Sequence, residues 1–425
     1  MVLHTPAWVE RMKPRRWYAI SGEAPDLGLD ATLPGTRYLS ETDPARSEKL
    51  NPPRTWKERI RRKMGLDPTS PWRGTTGFSA ITEAWNGAVY ASRCGASGSM
   101  IVFGGGHDDY FGASVHAFDL DTREWRRVAD GYVAGSASDY GAGAYYAAAV
   151  YPDGSPLPPH TYGYVQYDPV GNDYLLLKGQ TELGPAVQAA AVPHLFNLDT
   201  GRWRHGPRHP TAILNSGGTS TWDGARRVQW GHSGDEGGGN AFVGFYPDGD
   251  NRDGTFGRWG ECYTSKLTGN ANHNAMRIDP IHDTIVAVVH AQNELYGIDP
   301  ARPERPAARL ESVGSKPVLR PYAALEHAPN LSALVYFSPE DEGTIYAISR
   351  ANESRSTDKF SGVWRWEAVV PSSVTANPIA AAAARSRYPV NRSHVFGRFR
   401  VASFGIVDIG ILLRHIDSPV FALRL

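Results

Sequence analysis

Histidines recur at one position of a repeated pattern, directly after a short apolar run. Imidazoles repeated in this way could bind a metal ion, satisfy backbone groups of their own loops, or contact a sugar or a peptide, and all three interpretations remain open. Gln180 and Pro339 take the same position in two further repeats. The histidines of the pattern are His107, His232, His290 and His415.

Aromatic residues begin a second repeated segment. The first residues of the six copies are Trp85, Tyr162, Gly217, His273, Tyr322 and Phe396. Flat aromatic faces beside carboxylates suit the ring faces and hydroxyls of sugars. The candidate ligand-binding residues are therefore Trp85, His107, Asp108, Asp109, Tyr110, Tyr162, His232, His290 and His415.

Six repeats of short strands must position these side chains. Each repeat has an inner strand, two further apolar strands and, where it is clear, an outer strand with a tryptophan. These tryptophans are Trp125, Trp203, Trp259, Trp364 and Trp366. A unit of this size cannot bury both of its faces alone, so the units must stack. The sequence predicts an all-β, six-bladed β-propeller, with its inner strands around a central channel.

The last repeat stops at Leu425, after its third strand, whereas a strand at Arg15–Ile20 has no partner near it in sequence. Pairing the two would close the ring and remove an exposed sheet edge. We expect three regions: residues 1–20 with the ring-closing strand, residues 21–80 as an extended decorating segment, and the propeller at 81–425. A short basic helix is predicted at Thr55–Met64.

Composition narrows the choice of partners. The formal net charge is zero, which gives no bulk attraction to a nucleic acid or an anionic membrane. No apolar run suits a signal peptide or a membrane span, so we expect a soluble protein that does not insert into membranes. Cys94 and Cys262 belong to no spaced cluster, which argues against a disulfide framework or a zinc site.

The best-formed repeat resembles a kelch repeat of the galactose-oxidase-like propellers. It has a glycine corner at Gly104–Gly106, the segment His116–Thr122 and Trp125. The resemblance covers roughly residues 84–425 and implies a kelch-like fold. Because kelch-like propellers include oxidases, polysaccharide lyases and binding modules, it does not determine the function. Oxidase chemistry is not expected, since neither cysteine has a copper-ligand pattern around it.

The resemblance to propeller-type polysaccharide lyases suggests an enzymatic alternative. Cleavage by β-elimination needs a base for the proton beside a uronate carboxylate, a cation for the enolate and an acid for the leaving oxygen. His273 and Tyr322 are the candidate base and acid. Arg320 or Arg398 would bind the carboxylate.

The main functional expectation is a recognition module for a carbohydrate or a protein surface. The alternative is a lyase acting on a uronate-containing glycan. No cofactor is predicted, and a divalent cation is compatible with the histidines. Without a signal peptide, we expect either a cytoplasmic protein or a phage virion component, such as a tail or receptor-binding protein. The expected partners include other subunits of a virion or of an oligomeric assembly.

Overall fold

The computed structural model describes most of the chain. The described residues are 3–32, 80–83, 85–105, 113–130, 150–178, 192–209, 214, 217–234, 241–264, 267, 273–341, 343–350, 359–371, 373–374, 395–414 and 418–425. The predicted helix at Thr55–Met64 lies outside them.

Six antiparallel sheets form the blades of a six-bladed β-propeller, which confirms the predicted fold class. Blade 1 contains β2 (Ala88–Ala91), β3 (Ser99–Val102), β4 (Val115–Asp119) and β5 (Trp125–Ala129). Blade 2 contains β6 (Val165–Asp168), β7 (Asp173–Leu176), β8 (His194–Asn197) and β9 (Arg202–His205). Blade 3 contains β10 (Thr219–Asp223), β11 (Val228–His232), β12 (Ala241–Asp250) and β13 (Phe256–Thr264). Blade 4 contains β14 (Ala275–Asp279), β15 (Thr284–Val289), β16 (Glu294–Ile298) and β17 (Ala308–Leu310).

The last two blades have five strands each, because a short parallel strand is added at the outer edge. Blade 5 contains β18 (Ser312–Gly314), β19 (Ala324–Ala328), β20 (Ala333–Phe337), β21 (Ile345–Arg350) and β22 (Trp364–Val369). Blade 6 contains β1 (Arg16–Ala19), β23 (Ser373–Val374), β24 (Phe399–Phe404), β25 (Val407–Leu412) and β26 (Phe421–Arg424).

Helices are few and short within the described residues. The α-helices there are α1 (Ala7–Arg11) and α2 (Ala80–Glu83). The 3₁₀ turns are Pro25–Leu27, His290–Gln292, Pro329–Leu331 and Pro339–Asp341. Within the described ranges, no helix has the length and apolar character needed to cross a membrane.

The N-terminal strand closes the ring as predicted. β1 pairs antiparallel with β26, with Trp17 opposite Leu423. Trp17 is fully buried, and its indole Nε1 donates a hydrogen bond of 2.9 Å to the carbonyl oxygen of Gly343 in blade 5. β1 therefore completes blade 6 and also ties it to the neighbouring blade.

The tryptophans of the outer strands pack on aromatic side chains of the third strands. Trp125 lies opposite Phe118 in the register of blade 1, with ring centroids 5.7 Å apart. In blade 2, Trp203 and Phe196 make the same cross-strand pair at 5.1 Å. Such pairs stabilise the sheet beyond the area that they bury. The repeated tryptophan seen in the sequence is thus a packing residue.

The inner strands β2, β6, β10, β14, β19 and β24 contact one another in a closed ring around the channel. We call the face at which these strands begin the upper face. The opposite face, where the first strand of each blade turns into the second, is the lower face. At its turn Asp168 accepts a hydrogen bond from the backbone N–H of Val170, and Asp223 and Asp279 cap the equivalent turns.

Candidate functional site

Each inner strand is preceded by a residue with a left-handed backbone. The φ angles are 47° at Trp85, 45° at Tyr162, 76° at Gly217, 60° at His273, 62° at Tyr322 and 45° at Phe396. This conformation turns the chain from one blade into the next. The backbones are linked: the N–H of Tyr322 donates to the carbonyl oxygen of His273 at 3.0 Å, and the N–H of Phe396 donates to that of Tyr322 at 3.2 Å.

The side chains of these residues converge at the upper mouth of the channel. The ring centroid of His273 lies 4.1 Å from that of Tyr322, 5.7 Å from that of Phe396 and 6.0 Å from that of Tyr162. Tyr162 and Phe396 are each 4% exposed, whereas His273 and Tyr322 are half-buried. The mouth is therefore covered by packed rings, two of which remain partly exposed to solvent.

Trp85 joins this cluster through a residue that the sequence reasoning missed. The ring of Trp85 lies 4.8 Å from His160, which in turn lies 5.7 Å from Tyr162. His160 is fully buried, and Trp85 is half-buried. We call Trp85, His160, Tyr162, His273, Tyr322 and Phe396 the mouth cluster. His160 falls two residues before the repeat position, so the repeat pattern alone does not identify it.

Burial controls the charge of the histidines near the mouth. It lowers the pKa of His273 to about 3, with a smaller contribution from His290. Nδ1 of His273 is buried without a hydrogen-bond partner among the described residues. His290 also has its pKa lowered by burial, and its Nδ1 lies 2.9 Å from Oδ1 of Asn274. Both imidazoles are therefore neutral at physiological pH.

The other described candidates are His232, Arg320 and Arg398. His232 is the last residue of β11 and only 1% exposed, and burial lowers its pKa to about 4. Arg320 is half-buried, with Nε 3.1 Å from Oε2 of Glu340. Arg398 is 1% exposed and donates from Nη1 to the carbonyl oxygen of Asn86 at 2.7 Å. Arg320 is thus ion-paired, although its Nε makes no hydrogen bond within the described ranges, and Arg398 has a backbone acceptor.

Five predicted ligand-binding residues lie outside the described residues, and so does one position of the histidine pattern that carries glutamine. The ligand-binding residues are His107, Asp108, Asp109, Tyr110 and His415, and the glutamine is Gln180. Among the residues that are described, no group of three or more His, Cys, Asp or Glu side chains is placed to hold a metal ion.

Beneath the mouth cluster, a polar network crosses the channel. Arg400 donates to Oε1 of Glu326 at 2.5 Å, and Nη2 of Arg277 lies 3.1 Å from Oε2 of the same carboxylate. Arg277 also donates to Oε1 of Gln166 at 3.0 Å, and Gln166 donates to the carbonyl oxygen of Ser220 at 2.7 Å. We call Gln166, Arg277, Glu326 and Arg400 the axial network. It links the inner strands of blades 2, 4, 5 and 6, and Ser220 extends it to blade 3.

The axial network divides the channel into two cavities. The upper one is about 30 Å³ and lies between the network and His273, Tyr322 and Phe396. The lower one is about 200 Å³ and opens toward the lower face. The sequence contained a signal for the network. Each network residue stands four positions after the aromatic or histidine residue that precedes its inner strand.

No protein-family model matches the sequence, and no curated protein matches it. Among solved structures, the major allergen Mala s 1 of Malassezia sympodialis is 10% identical, with a TM-score of 0.43 over 84% of this chain and 96% of that one. A catalytically inactive variant of virginiamycin B lyase from Staphylococcus aureus, solved with quinupristin, is 12% identical, with a TM-score of 0.41 over 83% of this chain and 98% of that one.

A fungal alcohol oxidase of the AA5 family, in complex with copper, is 11% identical, with a TM-score of 0.36 over 67% of this chain and 51% of the oxidase. The three neighbours are an allergen, a lyase and an oxidase. At these identities and TM-scores they carry no argument about activity or ligand, and the kelch resemblance stays a prediction. What is established is a six-bladed, all-β propeller.

Proposed function

We propose that the chain is a recognition module and that its upper face binds a carbohydrate at the mouth cluster. The observation that carries the proposal is the convergence of Trp85, His273 and Tyr322, all half-buried, on one mouth. Half-exposed rings held rigidly by packing present flat apolar surfaces at a low cost in side-chain entropy, which suits the faces of sugar rings.

Two histidines near the mouth suit hydrogen bonds to an uncharged group of a ligand, while the buried ammonium group of Lys178 lies 4.9 Å from the ring centroid of Tyr162. His273 and His290 are neutral at physiological pH, since burial lowers both pKa values. Neutral imidazoles donate and accept hydrogen bonds, as sugar hydroxyls do. Tyr322 adds a ring 4.1 Å from that of His273. Because packed side chains cover the mouth, the ligand would lie on the face without entering the channel.

Screening the purified chain on a broad glycan array tests this proposal. We expect at least one glycan to bind, and Tyr322→Leu to weaken that binding about tenfold, because a stacked ring contributes about 1 kcal/mol or more. Phe396→Leu is the matched control: Phe396 has the same backbone conformation, but it is 4% exposed and should contribute to packing alone.

An array without hits, from a protein whose circular dichroism shows it folded, would contradict the carbohydrate proposal. Undiminished binding by Tyr322→Leu would place the site elsewhere. A protein surface is the other ligand class expected from the sequence; specific binding to a protein with no glycan hit would favour it.

A second candidate, β-elimination on a uronate-containing glycan, rests on His273. Its neutral imidazole has a buried Nδ1 without a hydrogen-bond partner among the described residues, and the ring of Tyr322 lies beside it. A base and an acid would thus be adjacent. The candidate ranks second because a pKa of about 3 makes the imidazole a weak base, and because Arg320 is ion-paired with Glu340 and Arg398 already donates to a backbone carbonyl.

The lyase candidate predicts a rise in ultraviolet absorbance, from unsaturated uronates, when the protein is given acidic polysaccharides. His273→Gln should abolish the rise, and Phe396→Leu should retain it. No absorbance change across a broad panel of uronate-containing polymers would rule the lyase out and would leave the recognition proposal untouched.

A further inference from the structure

The lower cavity is lined by charged and aromatic side chains that have no role in the proposed recognition function. All six inner-strand regions contribute to its lining, and its volume is about 200 Å³. Since about 10–15 Å³ holds one water molecule, this space suits a small organic molecule. The side chains that matter most are Arg277, Glu326, Arg400, Tyr90, Tyr167 and Trp222.

The charges lining the lower cavity do not balance. Arg277 and Arg400 are two cations, and Glu326 is the one carboxylate among the lining residues. Both oxygens of Glu326 are engaged, one by each arginine. One positive charge is therefore left without a carboxylate in a cavity that is partly enclosed by protein, where a charge is less well solvated than in bulk water.

The two arginines differ in their remaining capacity. Arg400 uses all three nitrogens: Nη1 donates to Glu326, Nε to the carbonyl oxygen of Ala88 at 2.7 Å, and Nη2 to that of Val165 at 3.1 Å. Arg277 contacts Gln166 and Glu326, and its side chain is 22% exposed. Since a guanidinium has five N–H groups, Arg277 keeps donors for a ligand in the cavity.

Aromatic side chains form part of the cavity wall. The hydroxyl of Tyr90 donates to the carbonyl oxygen of Ser97 at 3.0 Å, and that of Tyr167 donates to Oδ1 of Asn172 at 2.8 Å. Because both hydroxyls are used within their blades, what these tyrosines offer a ligand is mainly ring surface. Trp222 adds a third aromatic side chain from blade 3.

We propose that the lower cavity is a binding site for a small organic carboxylate, with Arg277 as the residue that binds the carboxylate group and the aromatic wall contacting the body of the ligand. A planar carboxylate accepts two parallel hydrogen bonds from a guanidinium, and its charge neutralises the site. The site lies below the axial network, on the face opposite the mouth cluster, so it is independent of the proposed recognition function.

The electrostatics of Arg277 agree with this assignment. Burial is the main cause that lowers its pKa, Glu326 acts in the opposite direction, and Arg400 lowers it further by like-charge repulsion. His327, which is half-buried, also has its pKa lowered, first by burial and then by Arg277, while the carboxylates Asp279, Asp408 and Glu326 act in the opposite direction. Its Nε2 is buried without a hydrogen-bond partner among the described residues. A bound anion would offset the like-charge repulsion between Arg277 and Arg400.

Isothermal titration calorimetry with matched pairs of probes tests the proposal. Benzoate is compared with benzamide, and D-glucuronate with D-glucose, so that each pair differs mainly in the carboxylate. At least one acid should bind, about tenfold or more tighter than its neutral partner, because hydrogen bonds to charged groups are the stronger ones. Inorganic phosphate is titrated in parallel; if it alone binds, the site takes phosphate and the carboxylate assignment is wrong.

Variants separate this site from the upper face. Arg277→Met should weaken acid binding about tenfold or more, and Glu326→Gln should strengthen it by removing the competing carboxylate. Tyr322→Leu, at the mouth cluster, should leave it unchanged. If Arg277→Met does not fold, Arg277→Lys keeps the charge and should bind more weakly than the native chain. Equal affinity for the acid and its neutral partner, or no heat from any acid, would overturn the proposal.

Discussion

Five bulky residues hold a backbone conformation that side chains disfavour. Trp85, Tyr162, His273, Tyr322 and Phe396 all have φ between 45° and 62°. For a residue with a Cβ atom this region costs roughly 1–2 kcal/mol. Blade 3 has Gly217 at the equivalent position, so the backbone alone needs no side chain there. The cost at the larger residues is offset by the packing of their rings at the mouth.

The buried histidine His232 should make stability depend on pH. Its folded-state pKa of about 4 lies below the value of about 6.5 in the unfolded chain, because burial disfavours the charged form. Above pH 6.5 the residue is neutral in both states and has no effect. As the pH falls from 6.5 to 4, the unfolded chain binds the proton first, and about 3 kcal/mol of stability is lost.

Urea unfolding at pH 7.5 and pH 4.5 measures this loss, with His232→Gln as the comparison. The native chain should lose more stability between the two pH values than the variant does. His194 is also buried, and burial and His205 lower its pKa well below 6.5. Both the native chain and the variant will therefore lose some stability at low pH. An identical loss in both would show that His232 is not the residue responsible.

For single residues, the sequence predicted which residues lie at the mouth of the channel, but not their burial or their hydrogen-bond partners. The repeat register identified Trp85, Tyr162, His273 and Tyr322, because equivalent positions in a propeller meet at the channel. It could not show that Arg398 donates to the carbonyl oxygen of Asn86. That contact joins residues 312 positions apart, and a side chain's burial depends on such distant partners.

Among the elements, β1 both pairs with a strand of blade 6 and packs a side chain against blade 5. It pairs with β26 in blade 6, and the indole ring of Trp17 lies 5.7 Å from that of Phe337 in blade 5. Trp17 is fully buried. Removal of this side chain would leave a large cavity between two blades and free the carbonyl oxygen of Gly343.

Trp17→Ala should therefore lower the free energy of unfolding by about 3–5 kcal/mol, as for other buried tryptophans. Denaturant unfolding followed by circular dichroism measures the change. Ile406→Ala is a control in the same blade: Ile406 is 89% exposed in the turn between β24 and β25, and its loss should change stability by less than about 0.5 kcal/mol. A Trp17→Ala variant as stable as the control would mean that β1 is not needed to close the ring.

The sequence predicted most of the four-stranded blades and missed the two added strands. Alternating patterns, glycine corners and tryptophans are local signals, and they marked strands such as β3 and β5. By contrast, β18 and β23 have three and two residues and pair in parallel with β22 and β1. Strands this short carry no periodic pattern, and their pairing depends on the assembled ring.

Across the whole molecule, the axial network joins blades that only meet when the ring is complete. Gln166, Arg277, Glu326 and Arg400 come from four different blades, and their hydrogen bonds span the channel. Polar residues at one register of several inner strands could have suggested a polar channel. Their pairing could not be predicted, since it depends on the number of blades and on which blades face each other across the axis.

Closure of the ring by β1 also has a consequence for biosynthesis. Ser21 and Val420, which share a hydrogen bond beside the closing strands, are 399 residues apart. At a synthesis rate of about 5–20 residues per second, the partner of β1 leaves the ribosome about 20–80 s after β1 itself. Throughout that interval, Trp17, which packs among residues of blades 5 and 6 in the finished protein, has no completed blade to cover it. The nascent chain should therefore depend on chaperones until its last strand emerges.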